Sequence, residues 1–344
     1  MLKSLELWNF RNYRRRGFQF AGSEVCFCGE NGVGKSNLLE AIYFLSILRS
    51  FRAGNVRDLV GLGGREFKLR GVWSSGGVDK VLEVEQTLRG RRLAVDGVGV
   101  RKSSEFIREF RAVVFAPEDK LIASGSSVYR RKFLDMLIGV LDFGYLAALQ
   151  RYGVALAQRN AALRRGDYSE AAAAAFEPEL AAAAAVIGPL RKVYLELLVR
   201  EVRKFPGGEE FTVGYEPDYP ESESEYLLKL GQERERERRR GFSAFGPQTD
   251  DFVFSLGGRS LRSFGSNGQQ RLISLYLKMA EFSLVSRNSP GGVVALVDDV
   301  TCELDRVNRE RFLGLLGRAE QSFYTFTEMP DDPRFAGMER VGLG

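Results

Sequence analysis

Alternating apolar residues open the chain and indicate β-strands. Leu5 and Leu7, and then Phe18 and Phe20, recur at a spacing of two, which places each pair on one face of a sheet. A short apolar strand at 25–28 runs straight into a glycine-rich loop. Apolar residues then recur every three or four positions, as they do on one face of a helix. Strand, loop and helix in this order are the context in which a phosphate-binding loop forms.

The remaining pattern separates strand-rich ends from a helical middle. From about 121 to 204 the sequence is rich in Ala and Leu at helical spacing, whereas 205–247 is acidic and broken by Pro and Gly. The alternating run 233–240 is predicted to form a solvated helix with ion pairs along its surface. Strands are predicted at 67–73, 80–88, 91–95, 111–115, 252–256, 293–297 and 322–326.

Composition narrows the possible chemistry. The 344 residues suggest about two domains. The chain contains no histidine, which excludes imidazole catalysis and His-ligated metals, and only three cysteines, which excludes a disulfide scaffold. No run of about 18 apolar residues and no signal-like start is present, so we predict a cytoplasmic protein without a membrane partner. The net charge is +5, and the basic excess falls in the first 200 residues, where a polyanion would bind.

The glycine-rich loop carries the strongest chemical signal. Gly29–Ser36 fits the pattern G-x-x-x-x-G-K-[ST], in which backbone N–H groups surround phosphate oxygens. Lys35 would reach the β- and γ-phosphates, and Ser36 would ligate Mg²⁺. The predicted ATP-binding residues are Gly29, Glu30, Asn31, Gly32, Val33, Gly34, Lys35, Ser36 and Asn37.

Two acids end the apolar strand at 293–297. An acid in this position holds Mg²⁺ in phosphate-loop ATPases, and we assign that role to Asp298. Asp299 would orient or deprotonate the attacking water, so it and Lys35 are the predicted catalytic residues. A turn or helix-cap carboxylate is the alternative for Asp299.

A third motif precedes an apolar helix. Ser266, Gly268 and Gln269 stand at the predicted start of that helix, where a hydroxyl and glycine amides form an anion site. Together with the loop and Asp298, this motif resembles that of the ABC-type ATPases. The resemblance implies that these residues bind the γ-phosphate held by a second subunit. It also implies that Asp305 lies in a loop that crosses the dimer interface, and that Glu118 senses Mg²⁺ or is a turn residue.

Several longer motifs resemble the RecF family of bacterial recombination mediators, and the similarity spans nearly the whole chain. The sequence departs from that family at Gln248-Thr249, where its members usually carry His-Arg. Arg11 and Asn12 would lie near the adenine or simply end the first strand. The matching segments are 7–13, 29–43, 115–119, 130–135, 158–163, 265–271 and 298–305.

The resemblance implies an α/β fold with a P-loop ABC-type ATPase head of mixed β-sheets and an inserted, mostly helical lobe. We assign 1–118 and 248–344 to the head and 119–247 to the lobe. The implied cofactors are ATP and Mg²⁺, with weak, DNA-stimulated hydrolysis acting as a switch in recombinase loading, DNA repair and replication restart. The implied partners are single- and double-stranded DNA at gaps or junctions, a second copy of the chain and a RecR-type mediator.

Arginines in the basic portion are candidate DNA contacts, although each alone would also suit a solvated or ion-paired surface residue. Three other functions remain open at this point: a motor subunit of a membrane transporter, a nuclease of the related OLD type, and a DNA clamp without turnover. The candidate contacts are Arg14, Arg15, Arg16, Arg52, Arg57, Arg91, Arg92, Arg130 and Arg131.

Overall fold

The computed structural model describes residues 1–300 and 304–343. This part of the chain forms two compact units. The first contains Met1–Asp119 and the residues from Glu281 onward, and the second contains Lys120–Ala280. We describe each unit by itself.

A five-stranded parallel sheet holds the central motifs of the first unit. Its strands are β3 (Glu24–Cys28), β8 (Ala112–Phe115), β12 (Val294–Asp298), β13 (Gln321–Phe326) and β14 (Glu339–Gly342). They lie in the order β14-β3-β13-β12-β8. Every residue of β12 and β13 is buried, as the apolar sequence of β12 requires, and β13 also buries the polar residues Gln321, Ser322 and Thr325. Since the carboxyl ends of parallel strands meet at one edge, the residues after β3, β8 and β12 share that edge.

A six-stranded antiparallel sheet completes the β-structure of this unit, in the order β2-β1-β4-β5-β6-β7. Asp96 and Gly97 both have positive φ and form the predicted tight turn. The sheet strands are β1 (Leu2–Phe10), β2 (Tyr13–Gln19), β4 (Phe67–Ser75), β5 (Val78–Thr87), β6 (Gly90–Val95) and β7 (Val98–Val100). The helices of the unit are α1 (Lys35–Ile47), α2 (Ser103–Ile107) and α10 (Arg306–Leu316).

Helix α1 contacts strands of both sheets and is buried along most of its length. Its approach to the antiparallel sheet is close, because a Cβ at Gly71 would lie 2.4 Å from the Leu45 Cδ2 atom. The helix that follows the phosphate loop is therefore fixed on two sides.

The second unit is mostly helical, as predicted. It also contains a three-stranded sheet in the order β11-β10-β9, formed by Arg259–Ser260, Val253–Leu256 and Phe211–Gly214 respectively. Its helices are α3 (Lys120–Ser124), α4 (Ser127–Leu141), α5 (Phe143–Arg165), α6 (Glu170–Val202), α7 (Glu223–Arg240), α8 (Leu261–Phe264) and most of α9 (Asn267–Arg287).

The boundary after the inserted segment differs from the predicted one. Residues 248–280 were assigned to the head, but they cluster with the second unit. The physical reason is pairing: β10 forms its ladder with β9, and Asp251 accepts two hydrogen bonds from Arg130 at 2.8 and 3.1 Å. The Ser266 motif consequently belongs to the second unit.

Among the described residues, α6 is long and apolar enough to cross a membrane by length and composition. It packs against α5 and α7, and it carries Glu177 and Arg191 in buried ion pairs. These features are typical of a core helix in a water-soluble domain.

Candidate nucleotide site

The phosphate loop joins β3 to α1. Gly29, Gly32 and Gly34 have φ values of 155°, 89° and 113°, a region that side chains other than glycine rarely adopt. Glycine at these three positions lets the backbone curve so that its N–H groups surround an anion, at the positive end of α1.

The turn between β1 and β2 supports the back of this loop. Asn12 Nδ2 donates to the Val33 carbonyl at 3.2 Å, and the Tyr13 hydroxyl donates to the Gly34 carbonyl at 3.1 Å. A Cβ at Gly34 would lie 2.7 Å from Asn12 Nδ2. Asn12 therefore supports the loop, a role that the sequence alone left undecided.

Arg11 holds the same turn against α1. Its guanidinium donates to both carboxylate oxygens of Glu40 at 2.7 and 2.8 Å, and Glu40 is fully buried. Sequence reasoning missed this pair because the two residues are 29 positions apart and Glu40 falls on the apolar helix. A charged residue among the apolar positions of α1 was the available signal.

Lys35 is the first residue of α1, and its side chain turns back toward the preceding glycine-rich loop. Its ammonium donates to the carbonyls of Gly29 at 2.6 Å and Glu30 at 3.0 Å, and the residue is buried. The charge is thus held at the centre of the glycine cradle, where it would meet phosphate oxygens.

Asp298 lies beside the loop at the end of β12. Its Oδ1 accepts hydrogen bonds from the Ser36 and Thr325 hydroxyls, both at 2.8 Å. Burial raises the pKa of Asp298, and the two hydroxyls oppose that shift. The structure thus brings together the predicted metal residues, Ser36 and Asp298. Their hard oxygen donors suit Mg²⁺.

Asp299 follows with a left-handed backbone, φ 53°, and its N–H donates to Thr325 Oγ1 at 3.1 Å. The Thr325 hydroxyl therefore contacts both acidic residues: it donates to the Asp298 carboxylate and accepts from the backbone N–H of Asp299. Backbone strain of this kind is common at functional sites. Glu118 is exposed in the 3₁₀ turn Pro117–Asp119 after β8, at the same sheet edge, and its metal role stays a prediction.

The Ser266 motif forms a reciprocal cap at the start of α9. Ser266 N–H donates to Gln269 Oε1 at 2.9 Å, and Gln269 N–H donates to Ser266 Oγ at 3.2 Å. Ser266, Gly268 and Gln269 are all exposed on the second unit. Their action on a nucleotide held by another subunit stays a prediction.

Asp305 caps α10: its Oδ1 accepts from the Asn308 N–H at 2.9 Å, and these hydrogen bonds lower its pKa. This is a local structural role, and the predicted role at a dimer interface is untested. Cys302 and Glu303 of the same predicted loop lie outside the described residues.

The family model described as the RecF/RecN/SMC N terminal domain matches residues 1–329. The DNA replication and repair protein RecF of Moorella thermoacetica is 36% identical over 335 residues, which cover 95% of this chain and 90% of that protein. This chain belongs to the RecF family. RecF of Bacillus velezensis is 32% identical over 364 residues, and the match covers 100% of this chain and 98% of that protein.

Solved structures agree with the family. One described as the recombination mediator protein RecF-ATP in the RecFOR pathway has a TM-score of 0.86 at 29% identity, covering 96% of this chain and 93% of that one. An SMC head bound to the winged helix domain of ScpA has a TM-score of 0.50 at 15% identity over 99% of this chain and 94% of that one, and it shares the fold alone. The predicted α/β ATPase-head fold and the RecF resemblance are confirmed.

The candidate DNA contacts of this RecF family member divide into exposed and internal arginines. Arg130 is buried and paired with Asp251, and Arg131 donates to the Asp250 carbonyl, so both brace the second unit. Arg91 packs with its guanidinium 5.1 Å from the Phe44 ring centre, and burial lowers its pKa. Burial makes Arg130 unsuitable as a surface contact, whereas Arg91 and Arg131 are half-buried and their contact with DNA stays a prediction.

Arg52 is exposed beside the predicted nucleotide site, and its contact with DNA stays a prediction. Its Nη1 donates to Asn37 Oδ1 at 3.2 Å, and its charge lowers the pKa of Asp298, though less than burial raises it. The other candidates exposed on the first unit are Arg14, Arg15, Arg16, Arg57 and Arg92, of which Arg92 also pairs with Glu85 at 3.7 Å.

Proposed function

We propose that this chain is an ATP-dependent DNA-binding protein that closes as a homodimer on gapped or junction DNA and supports recombinase loading in repair and replication restart. The observation that carries the proposal is the phosphate loop in contact with Asp298, in a chain that aligns over nearly its full length with proteins named DNA replication and repair protein RecF. The transporter-motor alternative is not favoured by these relatives.

The residues of the site have separate tasks in this proposal. The loop amides and Lys35 bind the β- and γ-phosphates, and Ser36 and Asp298 would hold Mg²⁺, whose charge would neutralise that of the phosphates. Asp299 accepts a proton from the attacking water or orients it, at a position fixed by the hydrogen bond of its N–H to Thr325.

Closure would complete the site from a second subunit. The exposed N-terminus of α9 would offer the Gly268 N–H and the Ser266 hydroxyl proton to the γ-phosphate, while Gln269 holds Ser266 in place through the reciprocal cap. The exposed arginines of β2 (Arg14, Arg15 and Arg16) then contribute to a basic surface for the DNA backbone. The proposal includes a RecR-type mediator as partner and a cytoplasmic location.

Light scattering tests this function directly. The 38.5 kDa chain is measured alone, with ADP–Mg²⁺ and with ATP–Mg²⁺, each with and without gapped duplex DNA. We expect the mass to double with ATP only, and DNA to be bound by the dimer and released on hydrolysis. A chain that stays monomeric with ATP and ignores DNA would contradict the proposal. Stable DNA binding without any hydrolysis would identify a clamp without turnover.

Thr325→Val should separate binding from turnover. Valine keeps the shape of threonine but removes the hydroxyl that contacts Asp298 and the Asp299 N–H. We expect the turnover rate for ATP to fall about tenfold, as for other groups that orient metal ligands, while ATP affinity stays unchanged. Thr325→Ser keeps the hydroxyl and serves as the control. Equal turnover in the wild type and the valine variant, measured by phosphate release, would show that Thr325 positions neither acid.

A further inference from the structure

The antiparallel sheet of the first unit has one face in the core and one face toward solvent. Leu5, Leu7 and Leu69 are fully buried, and the residues that alternate with them along the strands point to the other face. Trp8 lies on this outer face of β1 and is only partly buried. Trp73, the second of the two tryptophans in the chain, points to the core and is 1% exposed. Trp8 is therefore an aromatic ring on a face where core packing does not require one.

The neighbours of Trp8 in the sheet are basic on both sides. In the strand register, Trp8 lies opposite Arg15 of β2 and opposite Lys68 of β4. The Lys68 ammonium lies over one face of the indole, 5.7 Å from its centre. Within residues 1–300 and 304–343, no second cation and no aromatic ring is found against this indole. The face opposite Lys68 is the one on which a planar ligand would stack.

Charge on this outer face is unevenly distributed. Its three glutamates lie in ion pairs with Lys68, Arg70 and Arg92, at 3.1, 2.9 and 3.7 Å. Strand β2 differs, because its residues 14–16 are three exposed arginines and it contains no acidic residue. In the described part of the chain none of these three arginines lies in an ion pair. The positive charge that is not compensated within the sheet therefore belongs to β2, next to Trp8.

Strand β2 is also the edge of the sheet, so both of its sides are open to a ligand. Successive side chains of a strand point to opposite faces, so Arg15 shares the outer face with Trp8. Arg14 and Arg16 point the other way, and the Arg16 guanidinium lies 5.8 Å from the Phe18 ring centre. A polyanion that follows this edge meets a guanidinium on each side of the strand, and Arg15 is the one beside the indole.

We propose that the base of an unpaired nucleotide in single-stranded DNA stacks on the Trp8 indole, while Arg15 binds a phosphate next to it. Stacking on a side chain requires a base whose face is exposed, and a basic groove with an aromatic ring is the arrangement that binds single strands. The arginines of β2 then hold the backbone along the sheet edge. This inference rests on the DNA-binding function proposed above, and it places the single-stranded part of a gap or junction on this face.

Tryptophan fluorescence tests the assignment, because Trp73 is shielded in the core and Trp8 is within reach of a ligand. The chain is held in constant ATP–Mg²⁺ and titrated with a duplex that contains a gap of unpaired thymidines, or with a fully paired duplex of the same length. We expect the gapped duplex to quench the fluorescence and the fully paired duplex to leave it unchanged. Equal quenching by the two would overturn the stacking of an unpaired base.

Variants at Trp8 measure the stacking itself. Trp8→Leu should weaken binding of the gapped duplex about 5- to 150-fold, the loss expected for one base–aromatic stack, and leave the affinity for the fully paired duplex unchanged. Trp8→Phe is the matched control: it keeps an aromatic ring and should stay within about threefold of the wild type on both DNAs. Unchanged ATP-dependent dimer formation shows that each variant is folded.

Arg15→Gln tests the phosphate contact. It should weaken binding of the gapped duplex and reduce the slope of log affinity against log salt by about 0.7, the value for one phosphate of a single strand. If Trp8→Leu and Arg15→Gln both bind the gapped duplex as tightly as the wild type and still dimerise with ATP, this inference fails while the proposed function stands. If the wild type binds neither DNA, the proposed function itself fails and the inference fails with it.

Discussion

Replacing Lys35 with methionine is expected to weaken ATP binding by roughly a hundredfold or more and to abolish the ATP-dependent dimer. Methionine retains the length and apolar stem of lysine but has no charge and no donor. In the structure the Lys35 ammonium is held by two loop carbonyls at the centre of the glycine cradle. Two charge-assisted bonds to phosphate oxygens, each worth about 1.5–3 kcal/mol, account for a loss of this size.

The measurement is ATP affinity by fluorescence of a labelled analogue, followed by light scattering with ATP–Mg²⁺. Lys102→Met is the matched control, because Lys102 is an exposed lysine of the same unit. We expect the control to bind ATP and dimerise as the wild type does. If Lys35→Met binds ATP with wild-type affinity, the loop is not the nucleotide site. If it binds ATP weakly but still dimerises, dimer formation does not depend on the nucleotide.

The first unit was predictable because its motifs are local. The phosphate loop is a continuous segment whose glycines dictate its shape, and Asp298 ends a strand apolar enough to be assigned from five residues. The contact between Ser36 and Asp298 spans 262 positions, yet parallel pairing of the strands brings it about. The role of Asn12 was not predictable, since it depends on the direction of a turn that the sequence pattern does not specify.

The second unit was less predictable because its strands pair, and its charged side chains form ion pairs, with residues that are far away in the sequence. Strand β9 lies in the acidic segment 205–247, where no apolar alternation of useful length marks it. Without β9 there is no reason to assign its partner β10 to this unit. Arg130 was considered as a DNA contact because sequence shows charge but not burial, and its partner Asp251 is 121 positions away.

The family motif at 158–163 has a structural explanation of the same kind. Arg159 of α5 is fully buried, and its guanidinium donates to Glu237 at 2.6 Å, Ser243 at 2.7 Å and Tyr168 at 3.0 Å. It also pairs with Glu177 of α6 at 3.3 Å, and Glu237 belongs to α7. One side chain thus joins three helices. Buried ion pairs of this type contribute little net stability when complete, but losing one partner leaves a charge without compensation.

Arg159→Met should therefore destabilise the second unit by about 3–5 kcal/mol, a fall in melting temperature of roughly 6–20 °C for a unit of this size. The reason is that Glu237 is fully buried, and among the described residues it would keep only the hydrogen bond that the Ala244 N–H donates to its Oε1 at 2.6 Å. Circular dichroism during urea and thermal unfolding measures the effect.

Arg165→Met is the matched control on the same helix, because Arg165 and its partner Asp167 are exposed, and we expect a change within about 0.5 kcal/mol. Adding Glu237→Gln to Arg159→Met removes the uncompensated charge and should recover at least about 1 kcal/mol. If the double variant is instead less stable than Arg159→Met, by as much as a second, independent substitution would cost, then the stability lost in Arg159→Met comes from packing around the arginine stem. Recovery instead identifies the buried carboxylate as its cause, because only the charge, and not the volume, differs between glutamate and glutamine.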